Sequence, residues 1–237
     1  IDKMYVILPF EKKFYEDKHH FPVEFVGHPL IDAIYNQPIV DPVLFRKENQ
    51  LNDKPIIAIL PGSRKQEITK MLAVMLSVVN DFPDHQFVIA GAPSQEFSFY
   101  QKFITQENIK FISNKTYDLL RNATAALVTS GTATLETALF KVPEVVCYKG
   151  SWASYQIAKR IITLKYISLV NLIMDEEVVT ELIQEECNTK RIREELQKTL
   201  KTNDRNTLLE KYALLEEKLG GIGASEKTAT LIVNDLK

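Results

Sequence analysis

Ile56-Ile57-Ala58-Ile59-Leu60-Pro61-Gly62-Ser63-Arg64, leading into Lys65–Phe82, decides the fold. Five apolar residues in succession read as a strand covered on both faces, the habit of a parallel sheet with helices on each side. A Pro-Gly turn follows. Ile68, Met71, Leu72 and Met75 then recur at helical spacing and mark the apolar stripe of a crossover helix.

The same alternation runs outward in both directions. Strands are expected at Met4–Leu8, Glu24–Val26, Phe87–Ala90, Ile109–Ile112, Ala125–Val128 and Val145–Cys147. Helical patterns at Glu96–Gln106, Lys115–Asn122, Thr132–Phe140 and Tyr155–Leu164 lie between or after them. Repeated βα units predict an α/β, Rossmann-like, doubly wound parallel sheet. After Met174 no strand is expected. Glu176–Glu186, Thr189–Leu200, Arg205–Leu219 and Ser225–Leu236 read as C-terminal helices, the last two parted by Gly220, Gly221 and Gly223. That cluster reads as a turn between packed helices, or a hinge.

Composition sets the outer limits. The 237 residues are 45% hydrophobic and 25% charged, ordinary values for a folded chain with a sizeable core. A net charge of -2 argues against nucleic-acid binding by bulk charge. Cys147 and Cys187 are too few for a disulfide framework or a four-cysteine zinc site. His19 and His20 are adjacent while His28 and His85 stand alone, so no metal-ligand spacing is present and no metal is expected. No apolar run reaches the roughly 18 residues of a spanning helix. The first residue is not Met, and the opening Ile1–Leu8 run needs a sheet to join; residues 1–22 are expected to be the tail of an upstream domain.

Two loops have phosphate chemistry. Gly62, Ser63 and Arg64 follow a buried strand and open a helix, where backbone N–H groups can approach an anion and a guanidinium can fork onto phosphate. The loop lacks the Walker A pattern, and a plain corner with an exposed Arg would read the same way. Ser130, Gly131 and Thr132 follow Ala125–Val128 and offer hydroxyls and N–H groups at a positive helix end. Glu136 falls where it could reach a ribose diol. The alternative is an N-cap with small residues for close packing. Ser130 has no Gly-x-Ser-x-Gly elbow around it, which sets a serine hydrolase aside.

Other candidates are less defined. His28 precedes Pro29 at a helix start, either as a ligand-binding imidazole or as a structural one. Trp152–Asn171 interleaves aromatic and basic residues, suiting anionic lipid, a sugar phosphate, or simply a solvated basic face. Asn171 is a polar residue in an apolar run, either a turn former or a site amide.

Taken in order, Phe25–Leu30, Leu60–Arg64 with Glu67-Ile68, Ser130–Glu136, Pro143–Tyr148, Ala158–Arg160, Tyr166–Asn171 and Glu181–Cys187 resemble the C-terminal half of the lipid-A-disaccharide synthase family, from about residue 4 to the end. The resemblance implies a GT-B glycosyltransferase, two Rossmann-like domains with the donor nucleotide on the C-terminal one. It implies residues 1–22 as the tail of an N-terminal domain with its linker, 23–175 as the donor-nucleotide domain and 176–237 as a helical C-terminal region. The implied reaction joins UDP-2,3-diacylglucosamine to 2,3-diacylglucosamine 1-phosphate, inverting the anomeric carbon and releasing UDP, with no cofactor. The implied place is the cytoplasmic side of the inner membrane, as a peripheral protein, with a homodimer exchanging C-terminal elements as a further expectation.

By the same resemblance, Gly62, Ser63 and Arg64 hold the diphosphate, Ser130, Gly131 and Thr132 add donors, and Glu136 binds the ribose. Arg64 and Asn171 are expected at the chemistry; Gln184, Glu185 and His28 are expected near the cleft. The family usually reads Leu-Pro-Asn where this chain has Leu169-Val170-Asn171. The catalytic base belongs to the other half, so the chain alone is expected to be inactive. A UDP-N-acetylglucosamine 2-epimerase is an alternative, though it calls for more catalytic carboxylates and His; a non-catalytic nucleotide-sugar-binding module is the other.

Overall fold

The computed structural model describes residues 2–150, 165–201 and 205–235. They divide into two compact units, Ile39–Leu208 and Ile1–Pro38 with Leu209–Lys237.

The larger unit is built on six parallel strands, β3 (Ile56–Leu60), β4 (Gln86–Gly91), β5 (Ile109–Ser113), β6 (Ala123–Thr129), β7 (Glu144–Tyr148) and β8 (Thr180–Ile183), in the spatial order β5-β4-β3-β6-β7-β8. From β3 the chain winds outward through β4 to β5; from β6 it winds the other way to β7 and β8. The connections diverge between β3 and β6, which is the switch point of a doubly wound sheet, where ligands sit at the carboxyl ends of the strands.

Every residue of β3 is buried, and the strand's period of two divides it between two cores. Ile57 and Ile59 face α4 (Lys65–Leu76), packing with Ile68, Met71, Leu72 and Met75. Ile56, Ala58 and Leu60 face the opposite side, with Phe45, Leu119 and Leu120. Those come from α3 (Pro42–Glu48) and α6 (Thr116–Asn122). α3 was not expected, although Asp41 before Pro42 is a start signal; its Oδ1 accepts the Val43 and Leu44 N–H groups at 2.9 and 3.0 Å. The remaining helices of this unit are α5 (Phe97–Gln101), α7 (Thr132–Leu139), α8 (Leu169–Met174) and α9 (Thr189–Thr199). The expected Tyr155–Leu164 helix lies outside the described residues.

β8 corrects the all-helical reading of 176–237. Thr180–Ile183 pairs with β7, with Val145 opposite Thr180 and Cys147 opposite Leu182. Leu182 is buried in the α4-side core. An edge strand has one neighbour, so it needs only alternate apolar residues, and its flanking acids mimic a helix pattern.

In the smaller unit, β1 (Tyr5–Val6) pairs in parallel with β2 (Glu24–Phe25). α1 (Pro9–Lys13) and a π-helical turn over Phe14–Lys18 join them, and α2 (Pro29–Tyr35) follows. α11 (Ala224–Asp235) packs on α2, while α10 (Arg205–Lys218) precedes it across the glycine turn. Asp32 accepts the Gly223 and Ser225 N–H groups at 2.7 and 2.8 Å, which fixes the turn and holds the Asp32 carboxyl below its ordinary range.

Candidate functional site

A cleft of about 500 Å³ opens at the carboxyl ends of β3, β4 and β6, at the switch point. Its walls include Gly62, Ser63, Arg64, Ser130, Gly131, Thr132 and Glu136, seven expected site residues drawn from two loops far apart in sequence. The parallel register explains the meeting: Leu60 lies opposite Val128, so the loops after β3 and β6 leave the sheet side by side.

The first loop differs from expectation in one respect. Glu67 reaches back over the start of α4, and its Oε2 accepts the Ser63 N–H at 3.1 Å and the Arg64 N–H at 3.5 Å. A carboxylate therefore occupies two of the donors expected to meet an anion. The exposed guanidinium of Arg64 stays available to an anion on this side. Ser63 O also accepts the Ser94 hydroxyl at 3.1 Å, tying the loop to the segment after β4.

The second loop is the open one. Gly131 caps α7 with φ of 148° and no side-chain hydrogen bond. The first-turn N–H groups of a helix have no intrahelical partner. No partner for those of Thr132 and Ala133 is found among the described residues. The positive end of α7 thus faces the cleft with donors to spare. Ser130 anchors the loop from below: its N–H meets Cys147 O at 3.3 Å and its hydroxyl donates to Ile167 O at 2.8 Å.

Glu136 lines the same cleft one turn further on. Burial raises its pKa, partly countered by the Tyr117 hydroxyl, which donates to Oε1 at 3.2 Å. Burial and the neighbouring carboxylate push Tyr117 up to about 12. Tyr117 carried no sequence signal for the site, and Thr129, at the head of the second loop, was assigned no role. Thr129 is 3% exposed, and its Oγ1 has no hydrogen-bond partner among the described residues.

Four expected residues are not in this cleft. Asn171 is fully buried in α8, and its amide is spent on the scaffold. Oδ1 accepts the Val178 and Val179 N–H groups at 2.8 and 3.0 Å; Nδ2 donates to Val179 O at 2.8 Å and Glu181 Oε1 at 2.9 Å. Glu181 in turn accepts the Ile167 and Ser168 N–H groups and the Ser168 hydroxyl. This network holds the Ile167 segment, whose carbonyl accepts the Ser130 hydroxyl. Gln184 follows β8 in a left-handed conformation at φ 53°, its N–H donating to Tyr148 O at 2.8 Å. Glu185 is exposed. His28 belongs to the smaller unit, where it caps α2: Nδ1 accepts the Leu30 N–H at 3.2 Å, and burial lowers its pKa. Of the Trp152–Asn171 stretch, residues 151–164 lie outside the described residues.

The sheet order and the switch-point cleft define the class, the Rossmann-like C-terminal half of a GT-B fold. Solved structures share it. The UDP co-structure of S. aureus MnaA aligns with a TM-score of 0.64 at 16% identity, covering 99% of this chain and 61% of that one. WaaG, a glycosyltransferase involved in lipopolysaccharide biosynthesis, gives 0.51 at 15% identity, covering 89% and 57%. At such identities the likeness speaks for fold alone. The lipid-A-disaccharide synthetase family model matches residues 1–231. The lipid-A-disaccharide synthase of Idiomarina loihiensis is 36% identical over 246 residues, covering 98% of this chain and 62% of that protein. That of Syntrophus aciditrophicus is 37% identical, covering 100% and 63%. The chain belongs to the lipid-A-disaccharide synthase family of glycosyltransferases, and spans somewhat under two thirds of those relatives' length.

Proposed function

We propose that this chain is the donor half of a UDP-sugar-dependent, inverting glycosyltransferase. The enzyme joins UDP-2,3-diacylglucosamine to 2,3-diacylglucosamine 1-phosphate. The acceptor's 6-hydroxyl oxygen bonds to the donor's anomeric carbon as the bond from that carbon to the UDP oxygen breaks. The hydroxyl proton goes to a base outside this chain, and the electron pair leaves with UDP. The product is the β-1,6-linked lipid A disaccharide.

The observation that carries this reading is the pairing of Arg64 with the open end of α7 across one switch-point cleft. Negative charge grows on the departing diphosphate in the transition state. Preorganised donors aimed at developing charge lower the barrier more than they tighten ground-state binding. In this reading Glu136 accepts the ribose hydroxyls, Ser130 shapes its loop, and Asn171 belongs to the scaffold. In this reading the acceptor's acyl chains bring the protein to a membrane surface, taken to be the cytoplasmic face of the inner membrane, to which it is peripheral. Among the described residues no helix is long and apolar enough to cross a membrane.

Calorimetric titration of UDP into this chain and its Arg64→Ala variant tests the reading. Saturable binding, weakened at least tenfold in the variant, is expected. Equal binding by both would move the diphosphate away from Arg64. No transferase turnover is expected from this chain by itself.

A further inference from the structure

A second cleft, of about 330 Å³, adjoins the first on the α4 side of the sheet. Arg64, Lys65, Lys70 and Lys149 line it, with Glu67 as the one carboxylate. Glu67 is already engaged with the Ser63 N–H. None of the four cations makes an ion pair with a carboxylate among the described residues; the Lys65 ammonium rests 5.5 Å over the Phe99 ring. Four cations against one carboxylate leave this cleft with an excess of positive charge, a repulsion that an anion relieves. An ordinary solvated basic face would account for the lysines alone.

Thr129 does not fit that account. It lies where the two clefts meet and lines both. Its buried hydroxyl has no partner among the described residues, and an unsatisfied buried polar group is costly unless a ligand or water completes it. An oxygen-rich ligand in the cleft supplies that partner.

We propose that this second cleft is a phosphomonoester subsite, taking the phosphate of a sugar phosphate beside the nucleotide. The identity of the ligand rests on the transferase reading, in which the acceptor carries one phosphomonoester and the donor a diphosphate. Bringing those anions close together is repulsive. Arg64 stands at the junction between the clefts, with Lys65, Lys70 and Lys149 on the far side from the nucleotide, so the cations offset that repulsion and select an acceptor bearing a phosphate. The volume lies at the lower end of small-molecule sites.

The test is calorimetry on this chain with glucosamine 1-phosphate as the probe, first alone and then with UDP at saturation. Glucosamine 1-phosphate is expected to bind the UDP-saturated chain. The double variant Lys70→Ala/Lys149→Ala should lose about 100-fold in that affinity, roughly tenfold per charge-assisted contact, while its UDP affinity changes less than about threefold. Thermal unfolding of the variant checks that it is folded. Failure of glucosamine 1-phosphate to bind alongside UDP overturns the proposal, as does an equal loss of UDP affinity in the double variant. Inorganic phosphate binding as tightly as the sugar phosphate would assign the cleft to free phosphate and overturn it too. Sugar-phosphate binding without UDP binding would sink the nucleotide reading and leave this subsite standing.

Discussion

Glu67 Oε2 accepts the Ser63 N–H at 3.1 Å, and a Cβ placed on Gly62 would stand 2.2 Å from that same oxygen. Gly62 has φ of 100°, which L side chains rarely adopt. Sequence, turn and cleft are joined at this contact: glycine permits the turn, and the turn lets a first-turn glutamate hold it. Gly62→Ala is expected to cost about 1–3 kcal/mol, from backbone strain and a displaced Glu67. The displaced carboxylate should also disturb Arg64, weakening UDP at least tenfold. Urea unfolding and UDP titration on the same variant measure both; unchanged stability would show that the turn adapts freely.

Asn171→Ala separates scaffold from chemistry. The change strands the buried Val178 and Val179 N–H groups and removes a donor from Glu181, a loss of about 2–4 kcal/mol. UDP affinity, read well below the lowered melting temperature, should stay within about threefold. A variant of normal stability that no longer binds UDP would return Asn171 to the chemistry.

These two positions mark what the sequence made legible. β3 and β6 were plain because central strands covered on both faces must be apolar throughout. The loops after them were plain because small residues and an Arg follow directly. β8 was hidden: with β7 as its one partner, Thr180-Glu181-Leu182-Ile183 needs only Leu182 fully buried. Asn171 was ambiguous because a polar residue in an apolar run looks alike whether it meets a ligand or a loop's backbone. Lys149 gave no local sign, since what brings it to the second cleft is the pairing of strands distant in sequence; Tyr117 gave none because its link to the site is a hydrogen bond to Glu136. Glu67 was visible in the motif, but that its carboxylate would take the loop's own donors depends on a turn geometry that composition does not encode.

Glu144 opens β7, is buried, and neither carboxyl oxygen has a partner among the described residues. Burial raises its pKa well above the ordinary value. A carboxyl whose folded pKa lies above its unfolded one binds more protons when folded. Its contribution is therefore most favourable below the unfolded value near 4.5 and is lost as pH rises toward the folded one. Stability attributable to Glu144 should fall by up to about 1.4 kcal/mol per pH unit in that window. Glu144→Gln removes this slope. Urea midpoints of both proteins from pH 4.5 to 8 should diverge as pH rises, the variant gaining; parallel curves would mean that Glu144 finds a partner in solution.

Glu136 and Tyr117 provide a pH test of the nucleotide site. If Glu136 accepts the ribose hydroxyls as a carboxylate, UDP affinity must fall as Glu136 takes up a proton. Burial has already moved that event above the ordinary carboxylate range, and the Tyr117 hydrogen bond opposes the shift. UDP's own phosphate also titrates in mild acid, so the useful quantity is a ratio of dissociation constants, Glu136→Gln over the unaltered chain, in which the ligand's ionisation cancels. At pH 7.5 the ratio should be about ten, one hydrogen bond to a charged group. It should shrink toward one as pH falls and Glu136 becomes neutral. Tyr117→Phe removes the group that lowers the Glu136 pKa, so the affinity of this variant should begin to fall at a higher pH than that of the unaltered chain. A ratio that stays flat across pH would mean that the charge of Glu136 plays no part in holding the nucleotide. A Tyr117→Phe profile displaced toward lower pH would contradict the hydrogen bond as the link between them.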